Sequence, residues 1–225
     1  MCGRFTSAAE SSQVAERFGA AVPDGYRRRW NAAPAQQVLA IVRDGEERRA
    51  ELMRWGLVPH WAKDLSVSYK LINARAETIL EKPAYRALVG SHRCLVPADG
   101  FYEWRVGPDG KKEPVHFALR ELELFAFAGL WTRWADRATG ELVDSCTIVT
   151  TAANGLVAPV HDRMPVILPP GGEALWLDPE APPELAVSLL VPYPAELMRA
   201  VPASRRVGSV ANEGPELLVA DTPAE

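Results

Sequence analysis

The chain is short of the features that mark a membrane protein or a disulfide scaffold. None of its 225 residues belongs to an unbroken apolar run of membrane-spanning length. The first residues lack the basic-then-apolar order of a secretory signal, so the cytoplasm is the expected compartment. Cysteine is scarce: Cys2, Cys94 and Cys146 are an odd count at wide spacing, which argues against a bridged framework and a zinc motif. His60, His92 and His116 share no ligand-like spacing, so no metal is expected, and no cofactor is expected either. Lysine is nearly absent, with five against twenty arginines. A net charge of −4 supplies no bulk attraction to a polyanion.

What is present suits a globular core of ordinary composition, 48% hydrophobic and 24% charged. The arginines bring a rigid fork that pairs bidentately with phosphate, which lysine cannot do. Acids gather in the last third (Glu173, Asp178, Glu180, Glu184, Glu213, Glu216) and leave Arg4, Arg27, Arg28, Arg29, Arg54 and Arg75 less compensated. A local basic face follows from that imbalance. A merely solvated arginine-rich surface is equally compatible with the counts.

Ser7 and Glu10 have capping-box spacing and Gly19 supplies a stop, which predicts a helix over residues 8–18. Strand patterns cover 37–42, 48–58, 92–104, 115–119, 122–131 and 146–151, with GPDGKK (107–112) as a turn. Short helices are expected at 83–89, 172–177, 182–190 and 194–200. Strands come in blocks without regular βαβ alternation. The pattern predicts an α+β fold: one domain over residues 1–220, with a mostly antiparallel, barrel-like β core and peripheral helices. The segment 201–218 reads as a loop packed back over the domain, and 221–225 as a frayed tail.

Four stretches carry unusual polar chemistry. In MCGRF, removal of Met1 would give Cys2 a free α-amine beside its thiol. In LINARAET, Asn73 and Arg75 share one face if the segment is extended. In ADGFYEW, Glu103 stands between Tyr102 and Trp104, an aromatic wall able to desolvate a carboxyl. In VHDRMPVIL, His161, Asp162 and Arg163 precede an apolar strand. Each residue alone also has a structural reading, as an edge-strand carboxylate, a salt-bridge arginine or a capping histidine. Cys94 and Cys146 sit in apolar strand contexts and read as small core residues. In WGLVPHWA, Trp55 reads as core, while Trp61 is as well suited to stacking on bases.

Taken in order, CGRF, WGLVPHWA, NARAET, GFYEW and HDRMP resemble the SOS-response-associated peptidase (SRAP) family of abasic-site processing proteins, from Cys2 through residues 207–214. The resemblance implies a covalent bond between an N-terminal cysteine and the ring-opened aldehyde of an abasic site in single-stranded DNA. It implies Cys2, Asn73, Glu103 and His161 as catalytic residues, with Arg4, Pro34, Trp61, Arg75 and Arg163 at DNA-contacting positions. It further implies self-cleavage of Met1 and an abasic-site lyase as accompanying activities, single-stranded DNA bearing abasic sites as partner, no membrane, a monomer, and a cytoplasmic, nucleoid-associated location. The family often has a second aromatic beside Trp61, where this chain has Ala62.

Elementary chemistry points the same way. A terminal amine is roughly 10–15% neutral at pH 7, whereas lysine is neutral on the order of 0.04%, a several-hundredfold advantage in attacking an aldehyde. A thiol on the adjacent carbon can then close the imine into a five-membered thiazolidine. Two other readings stay open: an N-terminal-nucleophile glutamine amidohydrolase, whose chains also begin MCG, and a non-covalent single-stranded DNA-binding module.

Overall fold

The computed structural model describes residues 2–107 and 109–221. Along the chain run β1 (Phe5–Ser7), α1 (Ser11–Phe18), β2 (Arg29–Ala32), β3 (Gln37–Asp44), β4 (Glu47–Trp55), β5 (Asn73–Arg75), α2 (Leu88–Ser91), β6 (Arg93–Ala98) and β7 (Gly100–Val106). After these come β8 (Lys112–Leu119), β9 (Phe125–Ala135), β10 (Leu142–Ala152), β11 (Arg163–Pro165), β12 (Ile167–Leu168), α3 (Pro170–Leu177), α4 (Pro183–Val187) and β13 (Met198–Pro202), with 3-10 turns between several of them.

β3 and β4 form a hairpin in full register, from Gln37 opposite Arg54 to Asp44 opposite Glu47. β9 and β10 are long, 11 residues each, and each therefore serves several partners. Pairing runs β10-β4-β3-β6-β9 and returns from β9 to β10, closing a five-stranded barrel. The β10–β4 contact is parallel and the other barrel contacts are antiparallel. Closure removes the unpaired edges that an open sheet would leave. A second sheet has the order β13-β8-β7-β1-β2, which places the N-terminal strand between two neighbours. The α+β expectation, with a barrel-like and mostly antiparallel core, is met.

Alternation along the barrel strands divides the interior. Val38, Ala40, Val42, Trp55, Cys94, Cys146 and Ile148 pack towards Phe5, Phe101 and Phe117 of the second sheet. Leu39, Ile41, Leu95, Ala128 and Val149 pack towards Val14 and Phe18 of α1 and Trp176 of α3. Cys94, Cys146 and Trp55 are fully buried, as their sequence contexts predicted.

Several local expectations need correction. The capping box of α1 joins Glu10 and Gln13, because Ser7 is committed to β1, while Gly19 ends the helix in the left-handed region as expected. Residues 92–104 are two strands of different sheets. Asp99 breaks the run, with Ala8 N donating to its carboxylate and Asp99 N to Thr6 O. The helix expected at 83–89 is displaced to a single turn at Leu88–Ser91, and that at 182–190 is shortened to Pro183–Val187. The helix expected at 194–200 is one 3-10 turn, Ala195–Leu197, followed by β13, because β8 offers its outer edge to Met198–Pro202.

Residues 203–221 do pack back as a loop. Asn31 donates from Nδ2 to the carbonyls of Val207, Ser209 and Asn212 at 2.9–3.3 Å. Ala203, Val207 and Leu217 bury Tyr102. Asp221 is tied down, accepting from Ser204 Oγ at 2.6 Å and Arg205 N at 2.8 Å. The rest of the expected frayed tail, 222–225, lies outside the described residues, as does Met1.

Candidate active site

Cys2 leads into β1. Phe5 opposes Phe101 on one side and Ala32 on the other, and its ring meets Trp55 at 5.1 Å and Phe127 at 5.8 Å. Thr6 is held at 3.1 Å by His116 Nε2. The His116 ring lies so close over Gly100 that a Cβ there would fall 2.1 Å from Nε2, so the glycine of GFYEW is a steric necessity. These anchors fix Cys2, which is wholly buried.

β5 lies parallel to β10, with Asn73 opposite Ile148 and Arg75 opposite Thr150. Its brevity still imposes alternation: Ala74 enters the core while Asn73 and Arg75 share the other face. Asn73 Nδ2 donates to the Cys2 carbonyl at 2.8 Å, and Tyr85 donates its hydroxyl to the Asn73 carbonyl at 3.2 Å. Asn73 Oδ1 is buried and accepts no hydrogen bond among the described residues, nor does buried Arg4 Nε donate one. Buried polar atoms left in this state are positions where a ligand can complete the pairing.

Glu103 lies on β7, between β1 and β8, and is 3% exposed, which removes the edge-strand reading. Burial, followed by the nearby Asp162 carboxylate, pushes its carboxyl up to about 7. The expected aromatic wall is not the cause. Tyr102 and Trp104 alternate to the opposite face of β7 and pack with Ala203, Val207 and Leu217. The Cys2 thiol is held well above its usual value, first by burial and then by the Glu103 carboxylate, so the two groups act on each other.

His161 lies in the loop between β10 and β11, one residue before its end. Asn154 Oδ1 shapes that loop by accepting from the backbone N–H of Leu156 and Val157, both at 3.0 Å. Burial holds His161 below the usual imidazole range. A neutral ring accepts at Nδ1 from the Arg163 N–H at 3.0 Å, which leaves its proton on Nε2. Asp162 Oδ1 is also 3.0 Å from Nδ1 and becomes the partner only when the ring is charged.

Arg163 points its guanidinium at the Glu77 carboxylate (2.6 and 2.9 Å) and at the Thr150 carbonyl (2.7 Å). The sequence reading passed over Glu77. No local signal marked it, because Glu77 lies in the 3-10 turn Ala76–Thr78 after β5 and its partner is 86 positions away. Arg75 is exposed, and Arg4 donates from Nη1 to the Val207 carbonyl at 3.4 Å. Pro34 occupies a turn with Ala35, and Trp61 is 51% exposed. Ala62 faces inward, its carbonyl accepting from Trp134 Nε1 at 2.9 Å.

Cys2, Asn73, Glu103 and the Asp162 beside His161 thus converge from four separate stretches of chain. A buried thiol, a carboxyl poised near neutrality and a donating imidazole suit acid–base assisted addition to an electrophilic carbon. Among the described residues, no group of three or more His, Cys, Asp or Glu is arranged to hold a metal. No helix among them is long and apolar enough to cross a membrane.

A family model described as SOS response associated peptidase (SRAP) matches residues 1–210. The chain is 45% identical over 222 residues to the abasic site processing protein YoqW of Bacillus subtilis, covering 97% of this chain and 99% of that one. It is 38% identical over 200 residues to the abasic site processing protein HMCES of Gallus gallus, covering 78% and 59% respectively. The X-ray crystal structure of a protein from Bacteroides thetaiotaomicron superposes with a TM-score of 0.90 at 27% identity, covering 98% of this chain and 100% of that one.

Proposed function

The chain belongs to the SOS response associated peptidase (SRAP) family, and from that premise we propose that it captures abasic sites in single-stranded DNA through Cys2. Release of Met1 comes first, by self-cleavage: Glu103 takes a proton from a water that adds to the Met1 carbonyl, returns it to the departing Cys2 nitrogen as the C–N bond breaks, and methionine leaves as the free acid. The neutral amine attacks the C1′ aldehyde of the opened sugar to give a carbinolamine. Glu103, protonated near pH 7, donates to the departing hydroxyl, and water leaves as the imine forms. With Glu103 now a carboxylate, the imine nitrogen keeps its hydrogen as an iminium. The Cys2 thiol then adds to the iminium carbon: the S–C bond forms, the π pair becomes the nitrogen lone pair, and the thiol proton passes to Glu103. A thiol held protonated by its surroundings needs a base at its side, and the Glu103 carboxylate generated in the previous step is that base.

His161 donates from Nε2 to the sugar oxygen during ring opening. Asn73 fixes the Cys2 backbone through Nδ2 and offers Oδ1 to a sugar hydroxyl or the attacking amine. Arg4 and Arg75 hold flanking phosphates, Arg163 braces the far side of the site, and Pro34 and Trp61 border the strand. In this reading the protein acts as a monomer, one domain over residues 1–220, shielding the lesion; strand cleavage by β-elimination is its minor lyase route.

The observation that carries the proposal is the convergence of Cys2, Asn73 and Glu103, with the carboxyl raised to about 7. The test is to incubate the protein with single-stranded DNA bearing an abasic site and resolve denaturation-resistant adducts. Wild type forms the adduct and Cys2→Ala does not. Cys2→Ser forms only an imine that borohydride must trap. An undiminished adduct with Cys2→Ala would refute the assignment, and ammonia release from glutamine would favour an amidohydrolase.

A further inference from the structure

The segment joining β4 to β5 carries a second exposed ring that the chemistry at Cys2 does not use. Tyr69 is 63% exposed, more so than Trp61. The Arg54 guanidinium stands 5.7 Å from its ring centroid, within the range of a cation–π contact.

The mount is rigid. Arg54 donates from Nε to Ser68 Oγ at 3.3 Å and from Nη1 to the Ala35 carbonyl at 3.1 Å. Gly56, at φ 123°, lets the 65–70 turn press onto the end of β4; a Cβ there would lie 2.6 Å from the Ser68 carbonyl oxygen. Ala35 adopts φ 70° in the Pro34–Ala35 turn, a left-handed conformation costly for alanine. It is held there by Arg54 and by exchange of backbone hydrogen bonds with Trp55, Ala35 N to Trp55 O at 2.8 Å and Trp55 N to Gln36 O at 2.9 Å. One guanidinium therefore joins the Pro34 turn to the Tyr69 turn.

Charge and position agree with an anionic, aromatic-rich partner. Arg54, Lys63, Lys70 and Arg75 occupy this stretch against one acid, Asp64, whose carboxylate already accepts from Ser66 N at 2.8 Å. Tyr69 is four residues from Asn73, so their Cα atoms lie within about 14 Å. Trp55 Nε1 ties the intervening Ile72 carbonyl at 2.9 Å. With Ala62 turned inward, Trp61 and Tyr69 are the two exposed aromatics of the segment between β4 and β5.

We propose that Tyr69, backed by Arg54, is a stacking position for an unpaired nucleobase neighbouring the lesion, distinct from the one at Trp61. The inference rests on the single-stranded DNA reading above. Guanidinium on one side of a ring and a base on another is a sequence-tolerant contact, suited to lesions in any context.

The experiment uses oligonucleotides with 2-aminopurine at successive positions, whose fluorescence falls on stacking, and the adduct assay on abasic DNA. Tyr69→Leu abolishes quenching at one position and raises the half-saturating DNA concentration on the order of tenfold, while Tyr69→Phe behaves as wild type. Removing the base at that position from the DNA weakens wild type to the level of Tyr69→Leu and leaves Tyr69→Leu unaltered. Wild-type behaviour of Tyr69→Leu on every oligonucleotide overturns the proposal while leaving the Cys2 chemistry standing. Failure of the underlying reading is a different result: wild type then forms no adduct, and no 2-aminopurine position is quenched.

Discussion

Glu103→Gln separates the electrostatic cost of the site from its chemistry. A carboxyl moved from 4.5 to about 7 by burial costs the folded protein on the order of 3 kcal/mol once it must ionise. The sign follows from proton counts. Below about pH 4.5 both folded and unfolded chains are protonated and no penalty exists. As pH rises, the unfolded chain releases its proton first, so stability drains away until the native carboxyl also ionises near 7. Glutamine keeps the shape of the protonated acid and does not titrate. Thermal unfolding of the two proteins should therefore nearly coincide at about pH 4.5, with the variant melting roughly 6–12 °C higher at about pH 8. The same variant should retain Met1 by mass spectrometry and, with no free Cys2 amine to attack the aldehyde, should form almost no adduct. A melting difference that does not change with pH would refute the claim that burial tunes this carboxyl.

Three further outcomes are expected. Glu77→Gln breaks the fork that steadies Arg163, whose N–H orients His161; adduct formation should slow on the order of tenfold while the melting temperature barely moves, since a half-exposed pair stabilises by about 1 kcal/mol or less. An unchanged rate would remove Glu77 from the site. Gly100→Ala drives a methyl into the His116 ring and to 2.8 Å from the Phe117 carbonyl oxygen and should destabilise by about 1–3 kcal/mol in a denaturant titration, with only the His116 share recovered when His116→Ala is added. Asn31→Ala removes the two amide hydrogens shared among three carbonyls of the 207–212 loop, worth on the order of 2 kcal/mol together, and should open that loop to limited proteolysis; cleavage at the wild-type rate would mean that other contacts hold it.

The strands were legible because their alternation is a local property. QVLAIV became β3 and CTIVTT became part of β10 without adjustment. What local pattern could not show was partnership. Residues 92–104 read as one strand, yet Asp99 hands the chain from the barrel to the second sheet. Residues 198–200 read as the end of a helix until the free edge of β8 claims them for β13. At the site, Asn73 and Arg75 were correctly placed on one face, since period-two geometry suffices for that. The raised carboxyl of Glu103 was anticipated in direction but assigned to the wrong neighbours, because the same alternation sends Tyr102 and Trp104 away from it. The Glu77–Arg163 pair spans 86 positions and has no local signature.

A chain end is normally the first part of a protein to exchange its amide protons. Here β1 is clasped between β7 and β2 and plugged by Phe5, so its amides should exchange as slowly as those of the barrel. A tether fastened to Cys2 would pull against the middle of a sheet, and its load would fall on the pairing of β1 with β7 and β2.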